Sequence, residues 1–253
     1  MWNGEYGFLL RNLIQKDFKV RYRNMSLGIF WSLLNPLVMM SVVTFVFTRV
    51  YANRTPHFAL FVLCGLVPYN FFTVAWISGT TSLVENAALI KRVAVPRETI
   101  PVAAVLSNAV HLLIQIALLV AVSLLSGVFP NRYWFLLPFL WGAEIVFLCG
   151  ISLITAALNV FLRDVRYVVE SANVVLFWLV PIFYSFEMIP QRYRELYQLN
   201  PVAALVLASR TILLEGAAPH AVLLLKLTLS SAAVLAIGWL VFQRAKDRFY
   251  DYL

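Results

Sequence analysis

The chain has 253 residues, 62% of them hydrophobic and only 13% charged, with a formal net charge of +8. Soluble domains are about half apolar and about a quarter charged. A mean hydropathy of +0.82 therefore excludes an ordinary soluble enzyme and points to a polytopic membrane protein. In such a protein a basic excess reports topology, so nucleic acid is not an expected partner.

Residues Trp2 to Arg23 read as an amphipathic helix at the membrane surface. Trp2, Tyr6, Leu9, Leu10, Leu13, Ile14 and Val20 share one side. Glu5, Arg11, Asn12, Gln15, Lys16, Lys19 and Arg23 share the other, while Phe8 and Asp17 break the pattern. An apolar stripe opposite a basic face suits a helix lying in the interface. The N-terminus shows no signal-peptide cleavage pattern.

Six apolar runs follow: Phe30–Tyr51, Phe58–Thr80, Val102–Ser126, Trp134–Phe161, Val168–Phe186 and Ala221–Phe242. Each reaches or approaches the roughly 20 residues that cross a hydrocarbon core of about 30 Å. The expected fold is an all-α membrane protein, one domain over 1–253, with six transmembrane helices over 30–242. With both termini inside, the inner segments hold thirteen lysines and arginines and the outer ones six, with Lys226 inside the sixth run. That bias places both termini in the cytoplasm.

Three links carry more than connectivity. Asn86 to Pro101, NAALIKRVAVPRETIP, is the longest polar break in the first half of the chain. A basic segment there either rests on anionic lipid or receives force from a soluble partner. The inner link RDVRY, Arg163 to Tyr167, is very short. The outer link before the sixth run is long, and Asn200-Pro201 breaks its half-apolar part, Ile189 to Gly216. It reads as two short helices dipping back into the outer leaflet; non-helical backbone at that depth must be covered by protein or line a wet cavity. Pro181 is placed to kink the fifth run.

Chemistry-bearing patterns are sparse. None of the five lysines follows a glycine, so there is no phosphate loop of the GxxxxGK[ST] form. HExxH, CxxC and GxSxG are also missing, no metal site is expected, and His57, His111 and His220 lie far apart near run ends. Cys64 and Cys149 fall inside apolar runs and read as buried small hydrophobes. Glu144 lies deep in the fourth run, either a functional intramembrane acid or an interhelical hydrogen-bonding group. Glu170, near the inner end of the fifth run and close to Arg163 and Arg166, reads as a snorkelling or paired charge rather than a functional acid. Aromatic residues make up 15% of the chain. Among them Tyr51, Trp76, Phe183, Tyr184 and Phe186 lie at or near run ends and are candidates to line a pore. The alternative for each is packing in the lipid belt.

Three of these segments together resemble the membrane subunit of ABC-type polysaccharide exporters, the permeases for O-antigen, capsular and teichoic-acid chains. Asn86, Leu89, Ile90, Lys91, Arg92, Val93, Pro96, Arg97, Glu98 and Pro101 match that family's cytoplasmic segment, N-x-x-L-I-[KR]-[KR]-V-x-x-P-R-E-x-x-P. LNVFLRDVRY, 158–167, resembles the inner link with its Arg-Asp pair, Arg163 and Asp164, followed by Arg166. LNPVAALVLASRTILLEG, 199–216, resembles the outer stretch with Asn200, Pro201, Arg210 and Gly216. The resemblance implies a homodimer in a bacterial inner membrane. Two separate ABC subunits would hold ATP and Mg²⁺ on the cytoplasmic face, with no cofactor in this chain. It further implies that 86–101 couples to the ATPase, that 189–216 gates the outer mouth and that the cargo is a lipid-linked glycan. Rival expectations are an ABC permease for a drug, haem or lipid, a secondary carrier, and an intramembrane enzyme.

Overall fold

A computed structural model describes residues 6–23, 30–51, 55–93 and 95–253. Among these the regular structure is helical. Helix α1 spans Tyr6–Tyr22, α2 Trp31–Phe45, α3 Phe58–Glu85, α4 Ala87–Arg92, α5 Thr99–Leu125 and α6 Leu137–Phe161. Helix α7 spans Val165–Leu179, α8 Gln191–Leu199, α9 Pro201–Leu213, α10 Ala221–Ala245 and α11 Phe249–Tyr252. A wider π-type turn, Val46–Val50, extends α2 to 20 residues.

The bundle is organised around α3. Its most apolar window is 72% buried, against 6% for α2. It packs on α2, α5, α6, α7 and α9, and α10 packs along α6. The α6–α10 approach is set by two glycines. A Cβ on Gly150 would stand 2.5 Å from the backbone nitrogen of Leu235, and one on Gly238 would collide with the Gly150 carbonyl oxygen. Small residues that let backbones approach drive helix association in lipid, where burial of apolar surface no longer discriminates. Between α3 and α7, Tyr69 Oη donates to the Asn173 carbonyl.

Among the described residues, five helices are long and apolar enough to cross a membrane, running Trp31–Val50, Phe58–Arg92, Thr99–Leu125, Arg132–Phe161 and Ala221–Arg248 with their flanking turns. The expected fifth run, Val168–Phe186, differs. Only α7, with 15 residues, is helical there, a length of about 22 Å at 1.5 Å per residue. Pro181 does not kink this helix but ends it. Val180 is extended at φ −76° and ψ 132°, as the ring of a following proline demands, and Val180–Ser185 continues without helical structure. Helix α5 ends in a Schellman turn. Gly127 takes φ 78°, Val128 N donates to Ser123 O at 3.0 Å and Gly127 N to Leu124 O at 3.1 Å. Only glycine adopts that conformation at little cost.

The links gather at two ends. At one end, Asn131 Nδ2 donates to Ile212 O at 2.8 Å, tying the α5–α6 turn to α9, and the Phe47 ring lies 5.8 Å from Phe58 and 5.6 Å from Phe183. At the other end a second, smaller core joins Leu13 of α1, Leu83 of α3, Ile90 of α4, Ile100 of α5, Val160 of α6 and Phe249 of α11. The expected N-terminal helix is present from Tyr6; Trp2 and Glu5 lie outside the described residues. Its packed face is Leu9, Leu10, Leu13, Ile14, Asp17 and Phe18, so the stripe is used against protein and includes Asp17. Tyr6, Phe8 and Val20 remain exposed.

Candidate functional site: the bracket after α3 and the Arg210 carbonyl cradle

The segment 86–101 is built as a bracket on the end of α3. Asn86 stops α3: its Nδ2 donates to Ser82 O at 2.8 Å and its Oδ1 accepts from Lys16 Nζ of α1. The chain then restarts as α4. Ile90 is buried in the second core and Leu89 packs against it, while Lys91 and Arg92 are exposed. Pro96 begins the turn into α5, its carbonyl accepting from Thr99 N at 3.1 Å and Thr99 Oγ1 at 2.6 Å.

Arg97 does something the sequence did not suggest. Its guanidinium donates to the carbonyl of Lys246, after α10. Arg163 of the inner link donates through Nη2 to the carbonyl of Tyr252 at 3.2 Å. Two arginines from two separate segments thus hold the two ends of the C-terminal stretch, and Phe249 between them is fully buried. Sequence reasoning passed over this stretch. The available signal was Phe249, a large apolar residue directly after the charged run Lys246–Arg248. Glu98 lines an open groove with Tyr6, Val95 and Asp247. Asp164 and Arg166 are exposed, and Arg166 Nε pairs with Glu170 Oε1 at 2.8 Å, the paired charge expected for Glu170.

At the opposite end Arg210 is 5% exposed. It donates to Phe61 O through Nε at 3.3 Å and Nη2 at 3.2 Å, to Ile182 O, and to Tyr184 O at 3.5 Å. No carboxylate lies within ion-pair distance of it among the described residues. The irregular stretch after α7 is therefore stitched to α9 and α3 by one cation, which meets the demand that bared backbone at membrane depth find partners. Tyr184 adds to this: its Oη donates to Trp178 O and Leu179 O, each at 3.0 Å, closing the end of α7. Asn200 caps α9, its Oδ1 accepting from Val202 N at 3.1 Å, and Pro201 holds the first helical position. The two short outer helices differ in burial: α9 is mostly buried, whereas α8 shows Arg192 and Glu195 to the surface.

The aromatic candidates separate. Tyr51 is 71% exposed, while Trp76 and Phe183 are buried, Trp76 against Phe72 at 5.3 Å and Phe183 against Phe177 at 5.7 Å. Phe186 and Tyr184 are half-buried. Glu144 is 2% exposed, and neither carboxylate oxygen has a hydrogen-bond partner among the described residues. Cys64 and Cys149 are buried free thiols. His111 is buried within α5, not near its end, and the Phe18 ring stacks on it at 5.7 Å.

Known proteins are similar in sequence to this chain over nearly its whole length. The "O-antigen export system permease protein RfbA" of Klebsiella pneumoniae is 30% identical over 251 residues, covering 97% of this chain and 95% of the relative. A protein of the same name from Myxococcus xanthus is 27% identical over 249 residues, 98% of this chain and 96% of the relative. The "Polysialic acid transport protein KpsM" of Escherichia coli is 23% identical over 238 residues, 93% of this chain and 92% of the relative. The profile of the ABC-2 type transporter family matches residues 9–214, from α1 past the end of α9, and the chain belongs to this family of membrane proteins.

Proposed function

We propose that this chain is the channel-forming permease subunit of an ATP-driven exporter. Its cargo is a lipid-linked polysaccharide, O-antigen-like or teichoic-acid-like, moved from the cytoplasm across a bacterial inner membrane. The relatives named for O-antigen and polysialic acid align over nearly the whole chain, which supports a glycan over a drug, haem or lipid. ATP and Mg²⁺ belong to two separate ABC subunits, and this chain transmits their movement.

The observation that carries the coupling role is the geometry of α4. Ile90 is buried while Lys91 and Arg92 are exposed, and one residue, Asn86, separates α4 from the long, buried α3. A push on α4 is passed as a rigid-body movement into the helix on which the bundle is organised. In this reading the termini are cytoplasmic, and α7 with Val180–Ser185 forms the fifth crossing. Two copies pair through the faces that α2 and α7 leave uncovered, among them Val42, Phe45, Val175 and Trp178. The Arg210 cradle holds the outer mouth, and Tyr51 is the candidate best placed to meet a sugar.

Deletion of this gene, and separately of its ATPase partner, tests the reading. The expected result is loss of surface glycan with lipid-linked glycan accumulating inside. Unchanged surface glycan with no accumulation transfers the reading to a small-molecule exporter.

A further inference from the structure

A cavity of about 130 Å³ lies between the start of α2 and the middle of α3 and α5. Trp31, Phe71, Asn35, Asn70, Asn108 and Gln115 form most of its wall. Among the described residues no Lys, Arg, Asp or Glu lines it, so it suits a neutral group. His111 also lines it, and the stacked Phe18 ring makes α1 its backing. Trp31 and Asn35 are exposed while Asn108 and Gln115 are buried, so the cavity runs inward from the surface of α2.

Two of the amides are held in one orientation. Asn108 Nδ2 donates to Ala104 O at 2.8 Å and Gln115 Nε2 donates to Ser32 O at 3.2 Å. Such bonds tell the amide nitrogen from its oxygen. The atoms left over are Asn108 Oδ1 and Gln115 Oε1, both acceptors and both buried without a hydrogen-bond partner among the described residues. Their side chains are 2% and 9% exposed. Buried acceptors are normally satisfied, so these two call for donors from outside the chain. Water is one source. The rings argue for more: an aromatic wall with a few convergent polar groups is the make-up of a small-molecule site, and the opening at the surface of α2 lets a ring extend beyond the cavity itself.

We propose that this cavity binds one neutral, hydroxyl-bearing ring, a sugar residue of the lipid-linked cargo. Its hydroxyls donate to Asn108 Oδ1 and Gln115 Oε1, and its C–H face lies against Trp31 or Phe71. The identity of the sugar's source rests on the export reading above. The glycerol of a lipid headgroup offers the same hydroxyls but brings a phosphate, for which the described lining supplies no lysine or arginine.

The test uses the full chain with its ATPase partner in phosphatidylethanolamine nanodiscs. The probe is octyl glucoside carrying a diazirine, and the labelled peptides are read by mass spectrometry. Label is expected on 31–35 and 108–115, competed by excess octyl glucoside and reduced about tenfold by Asn108→Leu or Gln115→Leu, as loss of one buried hydrogen bond implies. Asn35→Leu, on the exposed rim, carries the test if the buried variants do not fold. Label that is diffuse, uncompeted, or unchanged in every folded variant overturns the site. Competition by phosphatidylglycerol and not by octyl glucoside overturns the sugar in favour of a lipid headgroup. The labelling needs neither ATP hydrolysis nor cellular glycan. Failure here beside loss of surface glycan in the deletion strain therefore removes the site alone, and labelling beside intact surface glycan removes the export reading alone.

Discussion

The Arg210 guanidinium sits over the Phe61 ring, its carbon 3.5 Å from the centroid, while two of its nitrogens donate to the carbonyl of that same residue. One side chain thus holds the start of α3 by both its ring and its backbone, and reaches across to Ile182 and Tyr184. Arginine is suited to this because its planar fork offers five donors and also stacks. Arg210→Met is expected to lower stability by about 3 kcal/mol, since it strips partners from buried carbonyls. Arg210→Lys keeps the charge but loses the fork and the stacking, and should cost about 1–2 kcal/mol. Thermal unfolding of the purified chain checks both. If the cradle also gates the outer mouth, Arg210→Lys will raise resting leak or lower export. Unchanged leak and export would leave Arg210 a structural residue only.

Gly238→Ala is expected to destabilise the bundle by about 1–3 kcal/mol through overpacking of α10 on α6. The new methyl would collide with the Gly150 carbonyl oxygen, which is backbone and has little room to yield. Gly142→Ala on the same α6 is the control. Nothing lies within 4 Å of a Cβ there, so no loss is expected. Equal unfolding temperatures for the two variants would refute the close approach of α6 and α10.

Lys91→Ala with Arg92→Ala should leave the chain as stable as the wild type, because exposed side chains away from partners contribute within about 0.5 kcal/mol. Export should fall severalfold if these cations are read by the ATPase. Ile90→Asp should fail differently, placing a charge in the second core and preventing a stable chain. Co-purification with the ATPase separates the cases: the double variant is recovered folded but poorly bound, whereas Ile90→Asp is poorly recovered at all. Full ATPase recovery and full export by the double variant would favour lipid anchoring of α4.

Arg97→Ala and Arg163→Ala each release one end of the C-terminal stretch. Each is expected to cost about 1–2 kcal/mol for a lost charge-assisted hydrogen bond. Because they hold one stretch, the double variant should cost less than the sum of the two. Truncation after Ala245 should cost more than the double variant, because it also removes the buried Phe249 from the second core. Strict additivity in the unfolding data would show that the two arginines act independently.

The legible part of this fold was the part governed by run length and local chemistry. Apolar runs such as Phe58–Thr80 announced helices because lipid leaves backbone groups no other partner than their own helix. Asn200-Pro201 announced a break between two short helices because proline cannot continue a helix and restricts the residue before it. The end of α7 was harder to place. The residues after Pro181 are as apolar as those before it, and composition does not register that the helix has stopped. Trp76 and Phe183 were open to the same ambiguity, since aromatic rings serve a pore, a lipid belt or a core equally well.

The sequence by itself determined that the chain is a helical membrane protein with a basic bracket at residues 86–101, because hydropathy, charge placement and turn chemistry are local properties. Tertiary structure alone decided which of those residues work together. That Arg97 and Arg163 clasp the same C-terminal stretch, that Arg210 is spent on carbonyls of α3 and of the stretch after α7, and that Asn35, Asn70, Asn108 and Gln115 share one cavity are facts about helices distant in sequence. Helix packing in lipid is decided by shape and by the few polar groups that must find partners. Neither leaves a periodic trace along the chain.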